Sequence, residues 1–194
     1  REALRGALAD LPADVAVGLR AYGHRVSVDD KDAGCLDTEQ MLAPAGGNGA
    51  AIVRIVDDLT PRGQTPIARS LQEAADDLPA GGGGSSILLV SDGVESCGGD
   101  PVAVIADLRA AGVNVVLHTV GLGVSEGEAA ALRDLAEAGG GRYFDAPTAS
   151  ELVTGVDTVV RSSSAFVMDA MAGTAFPQNV QRVAGGQMVA ESEL

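Results

Sequence analysis

The sequence has no tryptophan, and its aromatic residues together make up 3% of the chain. So few flat rings leave nothing from which to build a stacking platform for bases or the walls of a sugar cleft. Lysine is nearly absent as well, Lys31 being the only one. Lys and Arg together number 13 against 27 Asp and Glu, a formal net charge of −14. Phosphate binding needs clustered positive charge, so nucleic acid is excluded as a partner. The acidity serves solubility first, and beyond that favours cations or a basic partner. No apolar run reaches the ~18 residues of a membrane span. No secretory leader pattern is present, and the opening "REALRGALADLP" starts inside a helical pattern without Met, which predicts truncation at the N-terminus. Cysteine occurs twice, at Cys35 and Cys97. One disulfide or two unrelated thiols would satisfy that count equally.

What remains is an apolar, glycine-rich chain of 194 residues, 46% hydrophobic with 26 Gly. That composition suits one packed domain with a modest extension. Leu4, Leu8 and Leu11 fall at helical spacing before Pro12, and residues 15–23 read as a strand with Val15, Val17 and Leu19 on one face. Residues 24–50 offer only a short extended piece around Val26 and Val28, and otherwise read as an Asp- and Gly-rich loop. Helices follow over 51–59 and 65–78, then the flexible connector 81–84. That run precedes a strand instead of following one, so it is no phosphate-cradling loop. The strand "SSILLVSD" ends at Asp92. Pro101 opens a helix closed by Gly112, residues 113–123 form an apolar strand, and Ser125 with Glu128 spells a capping box for the helix 125–141. A short strand, "RYFDA", and a last helix through residue 161 complete the alternation.

Strands alternating with helices, the strands apolar on both faces, predict an α/β, Rossmann-like doubly wound sheet, mostly parallel and covered on both sides. Ligands of such sheets lie at the carboxyl ends of the strands. Asp92 stands there, and Thr65 opens a helix after a Gly-containing turn. A hydroxyl and a carboxylate are both hard oxygen donors, suited to Mg²⁺. The same residues would also serve as a helix N-cap and a strand-end turn residue. His118 lies within an apolar strand as a hydrogen-bonded core histidine, and His24 in a loop. Neither has a partner at zinc spacing.

The segments "VGLRAYGHR", "PRGQTPIARSL", "LLVSDGVESCGGDP", "VVLHTVGLG" and "LRDLAEAGGGRYFDA" resemble, in that order, the von Willebrand factor type A (VWA) domains, and most closely the bacterial type with a Cys-Gly-Gly-Asp-Pro segment. The resemblance spans residues 1–161. It implies a metal-ion-dependent adhesion site: an Asp-x-Ser-x-Ser after the first strand, a threonine matched by Thr65, and an aspartate matched by Asp92. A partner protein's carboxylate completes the shell around Mg²⁺, with Mn²⁺ or Ca²⁺ as alternatives. It also implies a Cys35–Cys97 bridge between two loops, and an extracellular, cell-surface or periplasmic setting. The first strand and its Asp-x-Ser-x-Ser are expected upstream of Arg1. "AFVMDAMAGTAF" (165–176) offers Asp169 on a displaced strand, but Met171 and Gly173 stand where the serines belong, so a fragment is the preferred reading. Residues 162–194 fall outside the resemblance and read as a linker with a hairpin around Gly185-Gly186, or as the start of a second domain.

The implied function is a non-catalytic, metal-dependent protein-binding module. A structural scaffold without a working metal site is the alternative. An enzyme fits poorly: Val94 stands where a haloacid dehalogenase would carry its second Asp, and no Gly-x-Ser-x-Gly is present.

Overall fold

The computed structural model describes residues 8, 11–12, 14–79, 84–146, 149–163, 165–171, 180–182 and 188–190. In chain order the elements are β1 (Ala16–Tyr22), α1 (Lys31–Gly34), β2 (Thr38–Ala45), α2 (Gly49–Asp58), α3 (Ile67–Asp76) and β3 (Ser85–Ser91). They continue with α4 (Pro101–Ala110), β4 (Val115–Gly121), α5 (Glu126–Ala138), β5 (Gly140–Asp145), α6 (Ala149–Ser162), β6 (Ala165–Met171), β7 (Val180–Arg182) and β8 (Met188–Ala190). Six strands form one sheet in the order β2-β1-β6-β3-β4-β5. Every neighbouring pair is parallel except β1 with β2. The mostly parallel α/β sheet expected from the alternation is present.

Alternation along the strands sends side chains to two cores. Val17 and Leu19 of β1, Leu88 and Val90 of β3 and Phe166 and Met168 of β6 pack with Ile52 of α2 and Leu152, Val156 and Val159 of α6. Leu8 and Leu11 join that core, while Leu4 of the same expected helix lies outside the described residues. On the opposite face Tyr22, Ile87, Leu89, Leu117 and Val167 meet Ile67 and Leu71 of α3, Ile105 of α4 and Leu132 and Leu135 of α5. A sheet buried on both sides needs apolar residues at nearly every position, and that is why these strands lack the polar-apolar alternation of a one-sided sheet.

Two placements depart from the expectations. The supposed loop over 24–50 holds the antiparallel edge strand β2, and no strand forms at Val26 or Val28. β2 is mostly half-buried or exposed and carries Pro44, which an edge tolerates because one side of it needs no ladder hydrogen bonds. Gly18 of β1 makes room for that ring: a Cβ there would meet the Pro44 side chain at 2.9 Å. The second departure concerns the strand expected upstream of Arg1. The position between β1 and β3 is filled by β6, parallel to both, with Arg20↔Asp169 and Leu89↔Asp169 in register. Residues 165–171, assigned from sequence to the linker region, are thus the middle of the sheet. The physical reason is that a gap there would leave two unpaired strand edges, and "AFVMDAM" is apolar enough to bury between them. Beyond it β7 and β8 pair antiparallel, Val180↔Ala190 through Arg182↔Met188, as the hairpin reading anticipates; Gly185-Gly186 lies outside the described residues.

Candidate functional site

The parallel strands point their carboxyl ends at one rim, and the loops leaving β1 and β3 meet there with the loop that enters α3. β3 closes in a tight turn. The Ser91 hydroxyl donates to the Gly93 carbonyl at 2.9 Å and accepts the Gly93 N–H at 3.3 Å. Asp92 is thereby held out at the rim, exposed to solvent. Crowding by the loop partly desolvates its carboxyl and raises its pKa, and the charge of Glu128 adds to the rise. Among the described residues no cationic side chain forms a salt bridge with it.

Thr65 is half-buried one step before Pro66, and it is Pro66, without a side-chain cap, that stands at the N-cap of α3. The Thr65 N–H donates to Ser96 Oγ at 2.8 Å, and the Ser96 N–H returns a bond to the Thr65 carbonyl at 3.1 Å. Ser96 Oγ also donates to Gln64 Oε1 at 3.1 Å. The missing cap is supplied from across the rim. Glu95 Oε2 accepts the Ala68 N–H of α3 at 2.8 Å while its Oε1 accepts the Cys97 N–H at 2.6 Å. A carboxylate there satisfies an orphan amide and complements the positive end of the helix dipole. The structure brings the loops of Thr65 and Asp92 side by side.

The Cys35–Cys97 disulfide is formed, with 5.5 Å between the Cα atoms, and it ties the β3–α4 loop to the segment after α1. That segment is anchored by Asp37, whose buried carboxylate accepts Arg25 N–H, Val26 N–H and Arg25 Nε–H. Burial alone would raise the Asp37 pKa, but these hydrogen bonds outweigh it and hold the group below its ordinary value. Gly23 has φ +65°, and a Cβ on it would lie 2.6 Å from the Gln64 carbonyl oxygen, so the close approach of these loops requires glycine. The histidines stand apart from the rim chemistry. His118 Nδ1 accepts the Arg142 N–H at 3.2 Å, and burial, with the charge of Arg142, lowers its pKa. His24 Nε2 lies 3.3 Å from Glu39 Oε2.

Asp169 does not join the rim. It aligns with Leu89, inside β3 and short of its end, and is fully buried facing α3. Ser70 Oγ donates to Asp169 Oδ1 at 2.7 Å, and among the described residues Oδ2 has no hydrogen-bond partner. Gly173 lies outside the described residues, and the side chain of Met171 is not described. Magnesium retains several waters and often takes only one or two protein carboxylates. Thr65 and Asp92 fit that demand in kind, and among the described residues Asp92 forms no salt bridge. The described residues contain no grouping of three or more His, Cys, Asp or Glu able to hold a metal. The donor set is therefore compatible with a hydrated hard cation and lacks a closed cage. The contacts of Glu95 with Ala68, of Ser96 with Thr65 and of Ser70 with Asp169 are not anticipated by the sequence, in which only Asp169 of the last pair is singled out. Each joins residues distant in sequence, and no local spacing announces it.

The model of the von Willebrand factor type A domain matches residues 47–145. The chain is 32% identical over 145 residues to the uncharacterized protein YwmD of Bacillus subtilis (strain 168), covering 73% of this chain and 65% of YwmD. It is 28% identical over 148 residues to the uncharacterized protein YwmC of the same organism, covering 73% of this chain and 63% of YwmC. It thus spans less than two thirds of either relative. The crystal structure of an aerotolerance-related membrane protein from Bacteroides fragilis NCTC 9343, carrying multiple mutations to serines, superposes with a TM-score of 0.62 at 15% identity. That superposition covers 82% of this chain and 85% of that one, and at this identity it speaks for the fold. With the family match spanning half the chain and the sheet arranged as described, the chain belongs to the von Willebrand factor type A domain family.

Proposed function

We propose that this VWA domain is a non-catalytic protein-binding module whose rim of loops grips a carboxylate of a partner protein through a divalent cation, Mg²⁺ foremost. The observation that carries the reading is the joining of the Thr65 and Asp92 loops by reciprocal Thr65–Ser96 hydrogen bonds, beside a disulfide that stiffens the same rim. Preorganised donors lose little freedom on binding, and that is what a recognition surface needs. The cation would supply a positive charge between two acidic surfaces and a water that the partner's carboxylate replaces. Thr65 and Asp92 would hold it, and Glu95 and Ser96 keep their loops in place. The disulfide supports an oxidising setting, extracellular or periplasmic. No helix among the described residues is long and apolar enough to cross a membrane.

A second reading, a structural scaffold without a working metal site, is favoured by the inward turn of Asp169. Calorimetric titration of Mg²⁺ and Mn²⁺ into the chain separates the two. Saturable heat that disappears in Asp92→Ala and weakens in Thr65→Val supports the cation-assisted module. Heats of dilution alone, with Asp92→Ala folded and indistinguishable from the parent, leave the scaffold.

A further inference from the structure

The polar groups buried under α3 form one directed chain. Arg20 Nη1 donates to Thr38 Oγ1 at 3.0 Å, and Thr38 Oγ1 lies 3.1 Å from Ser70 Oγ. Ser70 spends its proton on Asp169 Oδ1, so the Thr38 hydroxyl is the donor in the middle link. Every proton points from the Arg20 guanidinium toward Asp169. The positive charge at the head of the chain is already engaged. Arg20 Nε and Nη2 bind Asp77 at 2.7 and 2.9 Å, and Nη1 binds Glu73 at 2.7 Å. The groups facing the Asp169 carboxyl are thus Arg20 and Tyr22 from β1, Thr38 from β2, and Ser70, Glu73 and Asp77 from α3. An ionised Asp169 would be the third carboxylate around one guanidinium, with Oδ2 bare in the middle of the sheet.

We propose that Asp169 is a proton-controlled latch: neutral, it holds β6 between β1 and β3, and ionised, it loosens the strand and the rim of loops that β3 carries. The step is a simple proton loss from the carboxyl to solvent when β6 opens, after which the carboxylate is hydrated outside the sheet. The closed state keeps the proton because burial makes the charged form costly, which the Ser70 bond and Arg20 only partly offset; the group's pKa rises to about 7. A group whose folded pKa lies above its free value contributes stability that is complete below the free value, 3.8, and lost as pH rises toward about 7. The latch involves no cation and stands whether or not the rim binds one.

The test is hydrogen exchange of the peptide spanning 165–171, followed with pH and corrected for intrinsic exchange, in the parent and in Asp169→Asn. The expected result is an opening constant that rises about tenfold per pH unit between the free and the folded pKa in the parent and then levels off. In Asp169→Asn, which keeps an acceptor for Ser70 and cannot ionise, it stays flat. Should Asp169→Asn not fold, the Asp169 carboxyl is titrated by carbon NMR in the parent and in Ser70→Ala. A midpoint near neutrality that moves higher in Ser70→Ala supports the latch. Parallel pH profiles for parent and Asp169→Asn, or a carboxyl that titrates in the ordinary Asp range, overturn it.

Discussion

Glu95 joins two amides that belong to different segments, Ala68 at the start of α3 and Cys97 in its own loop. Replacing it by Ala leaves both N–H groups without their charged acceptor. We expect a loss of about 1.5–3 kcal/mol, the usual worth of a hydrogen bond to a charged group, read as a lower urea midpoint. Glu95→Gln, which keeps an acceptor, should recover about half of the loss. Gly23→Ala acts on the same rim by a different cause, a positive φ and a 2.6 Å approach to a backbone oxygen that cannot swing away. It should cost about 1–3 kcal/mol in the same measurement. Thr65 and Asp92 could be singled out in the sequence because each stands at an element boundary, one before a proline and the other between an apolar strand and a glycine, and because the resemblance matches them. Glu95 was not legible, because its main partner lies 27 residues away and only the fold introduces them.

The elements divide along the same line. The helices opening at Pro101 and Ser125 could be read in advance because their caps are local: Asp100 accepts from Val102 and Ala103 N–H, and Ser125 with Glu128 completes the capping box. β2 escaped notice because an edge strand buries little, and Gln40, Ala43 and Pro44 give it no apolar rhythm. β6 was visible as an apolar strand. Its central place, as a displaced first strand, is disfavoured in the sequence because Met171 and Gly173 stand where the serines belong, yet the open edges of β1 and β3 decide the matter. The disulfide also acts at this scale. It closes a loop across a sequence separation of 62, and breaking it with Cys35→Ser and Cys97→Ser should remove about 2–4 kcal/mol in chemical denaturation. Removing it should also raise hydrogen exchange across residues 92–100 before it affects β4 or α5.

Across the whole molecule the net charge of −14 is carried by a chain with only 13 basic residues, and among the described residues four ion pairs gather on Arg20 and Arg25. With 27 acidic against 13 basic residues, self-repulsion opposes the compact state. Raising NaCl from about 0.02 to about 0.2 M shortens the range of that repulsion. The thermal midpoint should rise in consequence, and a midpoint that falls would place the balance with the ion pairs instead. The placement of β6 has a consequence for how the molecule is made. As the chain is synthesised, β1 with β2 and β3 with β4 and β5 emerge as two partial sheets sharing no ladder, and the strand that welds them arrives only when residue 171 has been added. The centre of the protein is the last part of the sheet to exist. Until then both halves present open parallel edges, so the nascent chain is at its most vulnerable to wrong pairing at the moment when nearly all of the sheet has been translated.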